Sequence, residues 1–137
     1  MNVANCYKKI TKKASTVKEN DSIERVIDAM LADKKSRSVY VVNSEGQLAG
    51  IIVVKEALDF LAPRFFGSNS LKARDLFATR ARHIMKAPVF VSPKTTLEEA
   101  LEIMVRNDLE ELPVVENGKI VGDLNCLEVI GAMRQKK

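Results

Sequence analysis

The apolar residues of this chain fall into one pattern that is laid down twice. Ile23, Val26, Ile27, Met30 and Leu31 recur at spacings of three and four, which predicts an amphipathic helix with one stripe turned to a core. Leu97, Ala100, Leu101, Met104 and Val105 repeat that stripe 74 residues later, and the methionines in both stripes read as core residues rather than cofactor ligands. Asp21 with Glu24, and Thr95 with Glu98, give each helix a capping-box start in which side-chain oxygens satisfy the first free backbone N–H groups. Two short β-rich runs follow each helix, Val39–Val42 and Leu48–Val54 in the first copy, Leu112–Val115 and Ile120–Leu124 in the second. Asn117-Gly118 predicts a tight hairpin turn because both residues tolerate positive φ, and Ser44-Glu45-Gly46 makes the first turn one residue longer. Pro113 confines its run to a sheet edge or a strand start. A second helix is predicted near Lys55–Leu61 and again near Leu127–Met133.

Each copy therefore reads strand, helix, strand, strand, helix, a small α/β (α+β) unit with a mixed three-stranded sheet and two helices. The copies are expected at residues 8–61 and 83–134, joined by a basic linker at 62–82 in which Pro63 and Gly67-Ser68-Asn69-Ser70 break the chain. Phe65, Phe66 and Phe77 predict that the linker packs. A three-stranded sheet of this kind leaves an apolar face that needs a cover, so the two copies are expected to share one core.

Composition narrows the function classes. In 137 residues, 46% hydrophobic and 29% charged positions describe a globular chain, and no apolar run approaches the roughly 18 residues of a membrane span. The N-terminus lacks the order of a secretory signal, so a cytoplasmic location without membrane insertion is expected. Cys6 and Cys126 are expected to be reduced thiols. Two distant cysteines and one histidine, His83, are too few ligands for a structural zinc site. No Gly-rich phosphate loop and no Cys–His pairing is present, so no catalytic residue is expected. A net charge of +4 favours acidic partners, and nucleic acid, nucleotides and phosphates all qualify. Against a stacking nucleic-acid surface stand the absence of Trp and the presence of only Tyr7 and Tyr40.

Ile84-Met85 ahead of a strand, Leu112-Pro113-Val114-Val115, and Lys119-Ile120-Val121-Gly122, in this order within a duplicated chain, closely resemble the cystathionine β-synthase (CBS) domain family over nearly the whole sequence. The resemblance implies two repeats about a pseudo-twofold axis, modules that dimerise, and inter-repeat clefts that bind adenine nucleotides without catalytic machinery. In the family, Thr or Ser followed three residues later by Asp opens the last helix and holds phosphate and ribose. Here the corresponding pairs are Val53 with Glu56 and Asn125 with Glu128, so both hydroxyls are missing and both acids are one carbon longer. The structural reading of the same residues is Asn125 as an N-cap and both glutamates as favourable charge in a helix's first turn.

By the family's arrangement, one cleft gathers Lys13, Ser15, Ser36, Arg37 and Ser38 with Asn125 and Glu128, and suits an anion because Arg37 offers a planar fork and Lys13 a point charge. The alternative for Arg37 is a solvated turn after a helix. The other cleft gathers Ala87, Val89, Leu109, Glu110 and Glu111 with Val53 and Glu56, and its three carboxylates repel phosphate. The expected function is a stand-alone regulatory module, with no required cofactor, that takes AMP, ADP, ATP or S-adenosylmethionine as a regulatory ligand, forms a homodimer and acts on a partner in trans. The alternative is a protein–protein or nucleic-acid interaction module with degenerate sites, docking through Arg74, Arg80 and Arg82 of the basic linker.

Overall fold

The computed structural model describes residues 1–6, 8–9, 16–32, 37–66 and 78–135. In chain order the regular elements are β1 (Lys8–Lys9), β2 (Thr16–Lys18), α1 (Ile23–Ala32), β3 (Ser38–Val42), β4 (Leu48–Val53), α2 (Val54–Phe66), α3 (Ala81–Ile84), α4 (Leu97–Asn107), β5 (Glu111–Glu116), β6 (Lys119–Asn125) and α5 (Cys126–Gln135). They form two compact units. One is Ser15–Pro88, and the other joins Met1–Ala14 to Val89–Lys137.

In the Ser15–Pro88 unit the sheet order is β2-β3-β4, with β2 parallel and β4 antiparallel to the central β3. Val17, Val39, Val41 and Ile52 from the sheet meet Val26 and Ala29 from α1 and Ala57 from α2, with Met30, Ile84 and Met85 packed against them. Burying an aliphatic side chain of this kind contributes about 1.5–3 kcal/mol. Leu31, expected in the stripe, is 61% exposed, and its counterpart Val105 is 75% exposed. The stripe is narrower than its apolar residues suggest, because the sheet covers the Val26 and Ala29 side of α1 and leaves the next position round the helix uncovered.

The repeat holds at the level of single hydrogen bonds, but one position along from the predicted caps. Ser22, not Asp21, caps α1 by accepting from Arg25 N–H at 3.2 Å, and Thr96, not Thr95, caps α4 by accepting from Glu99 N–H at 3.1 Å. Asp21 and Thr95 instead close the preceding turn, accepting from Lys18 N–H at 2.8 Å and Ser92 N–H at 3.0 Å. Side-chain oxygens one residue apart thus divide two jobs in both copies. The hairpins also agree, each carrying a register shift, between Val41 and Val42 and between Val114 and Val115. Their turns use positive φ at Gly46, and at Asn117 and Gly118. Helix α2 runs past Pro63 to Phe66, a turn beyond the predicted Leu61.

In the second unit β6 lies between β1 and β5, and the strand expected before α4 is reduced to Val91. Val91 donates to Pro113 O at 3.1 Å, and Val115 donates to Val91 O at 2.8 Å. Continuing that parallel ladder toward Val89 requires an N–H at position 113, which proline does not have. Tyr40 stands at the matching place in the other unit, and there Thr16, Val17 and Lys18 all pair with β3.

Sequence patterning missed a pair of arms. Asn2 bridges Thr96, Val3 donates to Thr95 O at 2.8 Å, Ala4 donates to Pro93 O at 2.9 Å, and Lys8 and Lys9 pair with Asp123 and Gly122. In the Ser15–Pro88 unit Arg80 bridges Ser22, Ala81 donates to Asp21 O at 2.9 Å, Arg82 donates to Glu19 O at 3.0 Å, and Lys86 pairs with Ile51. Both arms are closed by the same device, Asn5 Oδ1 accepting from Asn2 N–H at 3.0 Å and His83 Nδ1 accepting from Arg80 N–H at 2.9 Å. Val3 and Ala81, the matching anchors, are both fully buried. The segment that precedes each repeat in sequence is therefore built into the unit containing the other repeat.

Candidate functional site

The two helices that follow the hairpins open differently. Helix α5 begins with a complete reciprocal cap. Asn125 Oδ1 accepts from Leu127 N–H at 2.8 Å, and Glu128 Oε1 accepts from Asn125 N–H at 3.0 Å. The main-chain N–H of Cys126 donates to Glu110 O at 2.8 Å, and Glu111 stands opposite Asn125 in the ladder. Glu111 is 2% exposed. Cys6 lies close enough to feel the Glu128 carboxylate, and burial together with that negative charge pushes its thiol pKa up.

Helix α2 begins after Val53, which has no side-chain oxygen to cap with. Val54 N–H donates to Arg37 O at 2.9 Å, and Ser38 faces Val53 in the ladder. Ser38 is buried and Arg37 is exposed. Glu56 pairs with Lys86 at 2.5 Å, both side chains part-exposed at 47% and 35%. The close approach of the Lys86 arm requires Gly50, since a Cβ there would stand 2.5 Å from Met85 Sδ and 2.9 Å from the Lys86 carbonyl oxygen.

The structure thus brings together residues expected in separate clefts. Arg37, Ser38, Val53 and Glu56 share the end of one unit with Lys86, which sequence reasoning did not single out. Glu110, Glu111, Asn125 and Glu128 share the end of the other, with Leu109 buried beside them in sequence. Ala87 is exposed and Val89 half-buried. Lys13, Ser15 and Ser36 lie outside the described residues, as does Arg74 of the linker. One helix start carries Arg37, Lys86 and a paired glutamate, whereas the other carries three carboxylates. The signal for Lys86 was present in the sequence, a lysine immediately before Ala87 and after the Ile84-Met85 pair.

Among the described residues no group of His, Cys, Asp and Glu could hold a metal ion, and no helix is long and apolar enough to cross a membrane. A groove lined by Glu98, Leu101, Glu102, Val105, Arg106 and Met133 runs along α4 and the end of α5, and contains none of the expected binding residues.

Comparison with known proteins agrees with this architecture. The sequence profile of the CBS domain matches residues 7–63 and 81–134. A crystal structure of a CBS domain-containing protein from Thermotoga maritima superposes with a TM-score of 0.83 at 38% identity, covering 100% of this chain and 96% of that one. The crystal structure of CBSX2 in complex with AMP superposes with a TM-score of 0.74 at 20% identity, covering 98% of this chain and 96% of that one. An uncharacterized protein of Methanocaldococcus jannaschii is 26% identical over 115 residues, 84% of this chain, and the chain spans only 38% of that relative's length. With both halves matched and the fold shared, the chain belongs to the CBS domain family and carries two CBS repeats in tandem.

Proposed function

We propose that this protein is a ligand-sensing regulatory module that binds an adenine nucleotide or a related anion and passes its occupancy to a protein partner. The observation that carries the reading is the start of α2 in the Ser15–Pro88 unit, where the Arg37 carbonyl accepts from Val54 N–H and Glu56 of the first turn pairs with Lys86. Two cations and one carboxylate match a ligand with a phosphate and a ribose diol. The AMP bound by CBSX2 supports the ligand class. In this reading Arg37 binds phosphate, with Ser15, Ser36 and Ser38 of the same unit as further donors, while Glu56 accepts from ribose hydroxyls. The module forms a homodimer in the cytoplasm and has no catalytic residue. Leu31, Leu58, Val105 and Ile130, exposed at 61%, 62%, 75% and 55%, supply apolar helix surface for self-association.

The test is thermal unfolding with AMP, ADP, ATP, S-adenosylmethionine and NADH. A ligand at 100 times its dissociation constant adds about 2.7 kcal/mol. Arg37→Ala abolishes that shift, and no shift with any of these ligands at millimolar concentration sinks the reading.

A second reading is favoured by one observation, that Asn125 and Glu128 are already engaged in capping α5. The module is then a docking protein whose sites are degenerate. Retention on a nucleic-acid or partner column that falls with salt, and is lost on neutralising Arg74, Arg80 and Arg82, distinguishes it from nucleotide sensing.

A further inference from the structure

The two arms dock alike, yet only one is tied by a described side chain to a candidate ligand-binding glutamate. The near end of the Arg80–Lys86 arm is anchored by Ala81, fully buried, and by the bonds from Ala81 and Arg82 to Asp21 and Glu19. Toward its far end Met85 packs against the same core. Lys86 and Ile51 exchange two main-chain bonds, Lys86 N–H to Ile51 O at 2.9 Å and Ile51 N–H to Lys86 O at 3.1 Å. The Lys86 ammonium then reaches Glu56 in the first turn of α2. In the other unit the matching carboxylate, Glu128, is turned to its own helix and accepts from Asn125 N–H.

From Lys86 the chain runs through Ala87 and Pro88 to Val89, where the second unit resumes. Whatever loosens Lys86 therefore alters the tether between a site in one repeat and the start of the other. Lys86 holds Oε1 of the Glu56 carboxylate, so a ligand diol that takes both carboxylate oxygens with its two hydroxyls displaces the ammonium.

We infer that Arg80–Lys86 is a ligand-responsive arm, latched at its far end by the Lys86–Glu56 ion pair, and that a diol-bearing ligand engaging Glu56 releases that end. The ligand half of this rests on the function proposed above. The latch itself does not.

Hydrogen exchange at the Ile51 and Lys86 amides reads both halves. Without ligand, Glu56→Gln speeds exchange at these two amides roughly two- to five-fold, the range set by a part-exposed ion pair. The Ala81 and Arg82 amides keep their rates. Lys86→Met, which keeps the stem and removes the charge, produces the same change, and the double variant adds nothing. Wild-type rates at Ile51 and Lys86 in both single variants overturn the latch. With millimolar AMP the wild-type protein shows the same acceleration. A protein that binds AMP by thermal shift yet keeps both amide rates overturns ligand release while leaving nucleotide binding intact. Absence of any nucleotide shift overturns the proposed function and ligand release together, and the latch is then decided by the two single variants.

Discussion

The start of α5 and the start of α2 occupy the same place in the two repeats and solve the same problem in opposite ways. At α5, Glu128 accepts from Asn125 N–H and Asn125 accepts from Leu127 N–H, so the polar side chains are spent within the helix start. At α2 a valine stands where the cap would be, and Glu56 reaches out of the helix to Lys86 on an arm. Duplication fixes where a glutamate sits. It does not fix what the glutamate holds, which depends on the residue three places earlier and on what the arm brings.

The largest effect that separates the two ends is expected at Gly50. Gly50→Ala forces a Cβ against the Met85 side chain and the Lys86 carbonyl, and backbone oxygen cannot swing aside as a thioether can. Destabilisation of about 1–3 kcal/mol by urea unfolding is expected. Gly131→Ala in α5, where nothing lies within 4 Å, is neutral or stabilises by up to about 1 kcal/mol. Equal losses from both variants would show that the close arm contact carries no special weight.

Val53→Thr keeps the shape of the side chain and adds the hydroxyl that the family places there. Under the proposed function it tightens AMP binding by up to roughly tenfold in calorimetric titration, the worth of one hydrogen bond to a charged group. No gain would mean that phosphate is not held at this helix start. At the opposite end, Asn125→Ala removes a cap that is in use and costs about 1 kcal/mol of stability. A cost near zero in thermal unfolding would erase the contrast between the two helices.

The smallest effect concerns Cys6. Burial and the Glu128 carboxylate both raise its pKa, so at pH 8 less of it is thiolate than in a free cysteine, and alkylation is slower. Glu128→Gln removes the charge that opposes ionisation and speeds the reaction, read by mass spectrometry of the labelled residue.

Much of the architecture was legible because it follows from local rules. Stripes at spacings of three and four, β-branched runs and Asn117-Gly118 act over a few residues, and each found its element. The caps slipped by one because Asp21 and Ser22, or Thr95 and Thr96, offer equivalent oxygens, and only the path of the turn decides which one faces the helix. Leu31 and Val105 were misjudged because periodicity gives the apolar arc of a helix but not the width of what covers it.

The sequence by itself determined the duplication, the hairpins, the family and the places of Val53, Glu56, Asn125 and Glu128. Tertiary structure alone decided what meets them. Lys86 lies 30 residues beyond Glu56, and Lys8 and Lys9 precede Gly122 and Asp123 by more than a hundred, so no local preference could announce those pairings. They form because a sheet edge left open in each unit takes the strand that fits it, and only the folded chain brings the right segment to that edge.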